Sequence, residues 1–126
     1  MSHEEVLRYI ARAEQAIKVA EDLMKTGHVS DAASKIYYAM FYASQALLKS
    51  AGIEVTKHSA VEAAIGLHFA KAGKMEPRHH RTLIDARKIR EIADYGITDE
   101  VIEPVATLKI EEGKEYLGVV KKLLGM

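Results

Sequence analysis

The 126-residue sequence contains no cysteine and no asparagine, only two prolines, and no excess of either charge. Without cysteine there is no disulfide framework and no thiolate chemistry. No apolar run approaches the roughly 20 residues of a membrane-spanning helix. The charged opening MSHEEVLRYI also lacks the apolar stretch of a signal peptide. A soluble cytoplasmic protein is the expectation. Glutamine occurs only at positions 15 and 45, whereas Lys, Arg and Glu are plentiful, a composition that leans towards a thermophile. There is no Gly-rich phosphate loop and no Gly-x-Ser-x-Gly elbow, so covalent catalysis has no support. Strand-like alternation, internal repeats and low-complexity tracts are absent too, and the length fits one domain spanning residues 1–126.

What is present is helix. The stretch Ile36 to Leu48, IYYAMFYASQALL, carries no charge. Ala33, Tyr37, Met40, Ser44 and Leu47 form one line at helical spacing. Ile36, Ala39, Ala43 and Ala46 form a second, and Tyr38, Phe41, Tyr42 and Leu48 cover much of the remainder. A helix apolar nearly all round must be covered on more than one side, by a fifth helix or by a second subunit.

The rest of the chain supplies the partners. Val6, Ile10, Ala13, Ile17, Ala20 and Met24 recur in steps of four and three, which predicts a helix from about Glu4 to Lys25. Gly27 fits its C-terminal end and Ser30 the N-cap of the next helix, from about Asp31 to Ser50. A loop IEVTK leads to a third helix, about His58 to Ala72, with Gly66 weakening its middle. Pro77 suits the first position of a fourth, about Pro77 to Tyr95. Thr98 can cap the last helix, with Asp99 and Glu100 in its first turn, and Pro104 should kink or split it. Its stripe is Ile102, Ala106, Ile110, Gly113, Leu117, Val120 and Leu124. These elements predict an all-α, antiparallel up-down four-helix bundle, with an additional short fifth helix around residues 98–103.

Charge is unevenly spread. Lys71 to Arg90 holds seven Lys or Arg against two acids, and Glu91 to Gly118 holds eight acids against two lysines. The pattern fits two solvated faces that partly cancel on packing, or a basic patch for phosphate or RNA beside an acidic arm. A di-metal site of the bundle type needs two Glu-x-x-His motifs. Only Glu76-Pro77-Arg78-His79 is found, at a helix start, and His79 and His80 are expected to face solvent or phosphate; no metal or other cofactor is expected. The informative cluster lies between Arg87 and Tyr95. Arg90 falls on the line of Leu83, Ala86 and Ala93, so it should point into packed surface, with Asp94 one turn on to hold it. A surface ion pair of a few tenths of a kcal/mol is one reading. A guanidinium oriented by a carboxylate to bind phosphate is the other.

Tyr38-Ala39-Met40-Phe41-Tyr42-Ala43 with Ala46-Leu47-Leu48, then Gly52, then Lys57-His58, then Arg90-x-x-Ala93-Asp94-Tyr95 follow one another along the chain. In these features it resembles the HEPN-domain proteins (higher eukaryotes and prokaryotes nucleotide-binding), of the small stand-alone prokaryotic type. The resemblance implies a four-helix bundle with a short extra helix, a homodimer, and a minimal nucleotidyltransferase partner in a toxin–antitoxin-like pair. The homodimer would pack through Tyr38, Phe41 and Tyr42. Catalytic members of that family are metal-independent RNases with a His four to six residues after an Arg, at the dimer interface. This sequence departs there: Asp94 and Tyr95 stand where the His belongs. His is the group whose ordinary pKa suits acid–base chemistry near neutral pH.

The resulting expectation is an RNA- or nucleotide-binding module. Arg87, Arg90, Arg81, His80, Lys57 and His58 are its candidate phosphate ligands, and Arg90, Asp94 and Tyr95 are the residues left at the family's catalytic position. An active endoribonuclease toxin is the alternative from the enzyme class, with a histidine or Tyr95 assisting proton transfer. A purely structural oligomeric protein is the alternative from the interaction class.

Overall fold

A computed structural model describes residues 3–96 and 100–126. Its helices are α1 (His3–Lys25), α2 (Val29–Ser50), α3 (His58–Ile65), α4 (Pro77–Tyr95) and α5 (Glu103–Leu123). A single π-helical turn, Gly66–Ala70, extends α3. The fold is all-α, as the periodicity predicts, with no strand among the described residues. The short element is α3 itself. Glu100 to Ile102 are not helical, and Thr98 and Asp99 lie outside the described residues.

The helix ends follow from local chemistry, with two corrections. At the end of α1, His28 N–H donates to the Leu23 carbonyl at 2.8 Å and Gly27 N–H to that of Met24 at 3.2 Å. This paired closure needs a left-handed residue, and Gly27 has φ 82°. The same closure ends α2 at Gly52, φ 74°. The expected cap Ser30 is instead inside α2, which begins at Val29 after His28 without a side-chain cap. Pro104 does not kink the last helix either. It sits in the first turn of α5, where its missing N–H removes no helical bond.

Helix α2 is the centre. It packs against α1, α3, α4 and α5, and most of its residues from Ala32 to Leu48 are buried. The covering that its apolar surface demands is therefore supplied largely within one chain, so burial of α2 does not by itself require a second subunit. Ala13, Ala16 and Ala20 of α1 and Ala39, Ala43 and Ala46 of α2 are all buried. Such small side chains let helix axes approach closely. Ser44, on an apolar line, is explained by a buried network: its Oγ donates to the Met40 carbonyl at 2.8 Å and accepts the Tyr116 hydroxyl at 2.6 Å. Tyr116 and Lys109 are buried on α5 although neither belongs to the expected stripe, and Ile102, which does, is 60% exposed. Lys109 is satisfied by Asp85 and by Glu112 at 2.8 Å.

The charge asymmetry is partly consumed in packing. Arg78 of α4 pairs with Glu115 of α5 at 3.2 Å, Lys109 pairs with Asp85, and Lys114 reaches Glu21 of α1 at 2.6 Å. Of these, the Arg78–Glu115 pair sets an acid of the arm against a base of α4.

Two glycines of α5 give a paired test of this packing. A Cβ on Gly113 would stand 2.6 Å from Ile36 Cγ1, whereas one on Gly118 meets nothing within 4 Å. Replacing glycine by alanine in a helix gains up to about 1 kcal/mol, and forcing a methyl into a packed core costs about 1–3 kcal/mol. Gly118→Ala is expected to raise the denaturation midpoint and Gly113→Ala to lower it. Equal shifts of the same sign would mean that α5 does not pack on Ile36 this way.

Candidate functional site

Helix α4 carries Arg90 inward because residue 90 is one turn beyond buried Ala86 and two beyond buried Leu83. Its side chain is 12% exposed. The guanidinium carbon lies 5.4 Å from the ring centre of Tyr37, 5.7 Å from that of Tyr38 and 5.9 Å from that of Tyr95. Asp94 reaches one Nη at 3.5 Å, a long and single contact. Arg90 Nε is buried and is the one buried side-chain polar atom without a hydrogen-bond partner among the described residues.

Magnitudes show how unusual this is. Burying an unsatisfied donor costs about 1–3 kcal/mol. A desolvated cation over an aromatic face recovers up to about 2 kcal/mol. The tyrosine rings therefore offset the cost without giving Nε an acceptor. Burial pulls the Arg90 pKa down, but Tyr38 and Asp94 outweigh it and the net shift is upward, so the cation persists.

A histidine joins this arginine from another helix. His58, the first residue of α3, stacks on Phe41 with ring centres 4.3 Å apart. Its Nδ1 is 2.7 Å from the Tyr37 hydroxyl. Burial first, and then the Arg90 cation, hold the His58 pKa below its ordinary value of 6.5, despite an opposing pull from Glu62. Burial and Glu62 push the Tyr37 phenol well above the usual tyrosine range, so it stays protonated. Either the phenol donates to Nδ1, or Nδ1–H donates to the phenol oxygen; the second arrangement leaves the lone pair on Nε2.

The remaining expected site residues separate into groups. Asp94 and Tyr95 stand beside Arg90, and Tyr95 is 72% exposed. Lys57 is exposed next to His58. Arg87 lies near but is occupied: its Nε donates to Glu62 at 2.7 Å and its Nη1 reaches Glu91. Arg81 is nine residues before Arg90, about two and a half turns, and so faces the opposite way. His80 is about 15 Å along the helix axis from Arg90. It is half-buried, with Nε2 bonded to the Glu62 carbonyl at 2.8 Å and the ring filling the notch at Gly66. His79 is not solvent-facing; it is 5% exposed. Of the helix α2 aromatics, Phe41 is buried against His58, leaving Tyr38 and Tyr42 partly open.

Tyr37 and Glu62 are the members that spacing did not single out. Tyr37 is legible only as one more apolar position on α2, and its contact with His58 joins residues 21 apart. Among the described residues there is no cluster of three or more His, Asp or Glu placed to hold a metal ion, and no helix long and apolar enough to cross a membrane.

The coupling between Arg90 and His58 is measurable. Replacing Arg90 by Gln removes a cation that disfavours imidazolium. By NMR titration the His58 pKa is expected to rise in Arg90→Gln but to stay below 6.5, because burial is the larger cause. In the parent protein neutral His58 is favoured on folding, so its contribution to stability is lost as pH falls through 6.5 towards the folded value. An unchanged His58 pKa in the variant would separate the two residues.

Comparison with known proteins places this geometry in context. The HEPN domain profile matches residues 6–126. A UPF0332 protein of Pyrococcus horikoshii is 35% identical over 105 residues, covering 83% of this chain and 74% of its own. A Methanocaldococcus jannaschii protein named as a candidate toxin is 31% identical over 120 residues, covering 95% of this chain and 82% of its own. A UPF0332 protein of Thermotoga maritima is 31% identical over 122 residues, covering 96% and 92%.

Proposed function

This chain belongs to the HEPN domain family, and from that premise we propose that it is an RNA- or nucleotide-binding module whose phosphate receptor is Arg90. The observation that carries the reading is the state of that guanidinium. It is charged, largely enclosed by tyrosine rings, tethered by a single long contact to Asp94, and has a donor without an acceptor. An arginine kept for stability alone would be fully paired, as Arg87 is by two carboxylates. A phosphate oxygen entering beside Tyr95 would accept a charge-assisted hydrogen bond from the guanidinium. The partner in this reading is a minimal nucleotidyltransferase, in a toxin–antitoxin-like pair; the toxin name borne by relatives supports it.

A second reading has a specific observation behind it. Although no His follows Arg90 in sequence, His58 arrives beside the same rings, and its lowered pKa keeps it neutral near pH 7. With Nδ1–H donating to Tyr37, Nε2 is free to take the proton of a ribose 2′-hydroxyl as its oxygen bonds to phosphorus. The P–O5′ bond breaks, the leaving 5′-oxygen takes a proton from water, and Arg90 stabilises the negative charge on the non-bridging oxygens. That is the chemistry of a metal-independent endoribonuclease.

One preparation tests both. In a titration with single-stranded RNA, Arg90→Ala is expected to weaken binding about 10–100-fold, the worth of a charge-assisted contact. Unchanged affinity would remove Arg90 as the receptor. In the same tubes, metal-free cleavage that disappears in His58→Ala with binding retained would establish the enzyme, and intact RNA with the parent protein would leave the binding module. Co-purification of a nucleotidyltransferase from the native source is expected, and its absence from such a pull-down would count against that partner.

A further inference from the structure

The Arg90 site does not end at Tyr38. The Tyr38 ring lies 6.4 Å from that of Tyr42, one turn on along α2, with the planes tilted by 38°. Across the groove to α1, Arg12 places its guanidinium carbon 5.8 Å from the Tyr42 ring centre. Tyr95, Arg90, Tyr38, Tyr42 and Arg12 thus form a continuous course of rings and cations from α4 over α2 to α1. Beyond Arg12 it meets a shallow pocket of about 190 Å³ lined by Glu5, Arg8, Tyr9 and Arg12.

Arg12 is unlike most arginines of this chain. Arg8, Arg78, Arg87 and Arg90 each pair with a carboxylate, whereas Arg12 forms no ion pair among the described residues. It is exposed, and its ring contact holds the planar guanidinium without neutralising it. An arginine over a partly open tyrosine repeats, one helix away, the cation–ring contact of Arg90 and Tyr38, here without a paired carboxylate.

We infer that Arg12 and Tyr42 form a second subsite, and that the ligand is a single-stranded RNA long enough to cross from Arg90 to Arg12. The inference rests on the reading of Arg90 given above and adds the ligand's class and course. Single strands expose base faces, which stack on tyrosine and guanidinium planes, while their phosphates pair with arginine. A duplex hides its bases and cannot use the rings. A mononucleotide can use only one end. A second copy of this chain fits the surface less well. Phe41, the most apolar side chain of this face, is buried in the core.

The test compares a labelled ten-nucleotide oligouridylate with uridine monophosphate, using the parent protein, Arg12→Ala, Arg12→Lys and Arg90→Ala at several salt concentrations. Arg12→Ala is expected to weaken the decamer about fivefold. It should also flatten the slope of log affinity against log salt by about 0.7, the share of one single-strand phosphate that the protein no longer neutralises. Uridine monophosphate affinity should be unchanged, and Arg12→Lys should recover the salt slope. If Arg12→Ala leaves decamer affinity and slope unchanged while Arg90→Ala weakens both ligands, the second subsite is wrong and the Arg90 reading stands. If the parent protein binds neither ligand, both fall. If Arg12→Ala instead shifts the mass in light scattering from dimer to monomer with RNA binding intact, the surface belongs to a second copy and the inference is overturned.

Discussion

A helix with no polar face dictates this structure. Between Ile36 and Leu48 α2 offers water almost nothing that water can solvate, and each large apolar side chain left exposed would forfeit about 1.5–3 kcal/mol. The chain resolves this by wrapping α1, α3, α4 and α5 around it. Alanines on the α1 side permit close approach, Gly113 lets α5 sit on Ile36, and Ser44 with Tyr116 satisfies the polar atoms trapped inside. Because α2 sits at the centre, a side chain that emerges near its edge is met by several helices at once. Tyr37 and Tyr38 emerge there, and Arg90 and His58 meet them from α4 and α3.

The site follows from that arrangement. A bundle gains little from a buried guanidinium whose Nε lacks an acceptor; an aliphatic side chain at position 90 would fill the same space without the desolvation cost. The neighbouring Arg87, held by Glu62 and Glu91, shows how the same helix treats a structural arginine. The difference between these two residues, three positions apart, is what supports the proposal that Arg90 receives a ligand.

Much of this was legible in the sequence. The helices over α1, α2 and α4 follow from apolar spacing and from Gly27, Gly52 and Pro77. The inward aim of Arg90 and its tether to Asp94 follow from helical spacing alone. What escaped has a common cause. His58 reaching Tyr37, Glu62 reaching Arg87, and Tyr116 reaching Ser44 are contacts between helices, fixed by crossing geometry that no single-helix periodicity contains. His79 and His80 misled for the same reason. A polar pair at a helix start reads as solvated until neighbouring elements lie across it: Gly66 opens a notch for the His80 ring, and His79 sits among Met75, Val119 and Leu123. Phe41, grouped by spacing with Tyr38 and Tyr42, lies instead one turn beyond buried Tyr37 and faces inward, where His58 stacks on it.

The central claim is that Arg90 is held for an anion outside the protein. The Nε–H resonance of Arg90, assigned by NMR with Arg90→Lys as the reference, reports on it directly. Addition of a short single-stranded RNA is expected to move that resonance, together with the amides of Asp94 and Tyr95, in a saturable way. A saturable shift elsewhere with Arg90 unmoved would contradict the account and return this arginine to the core.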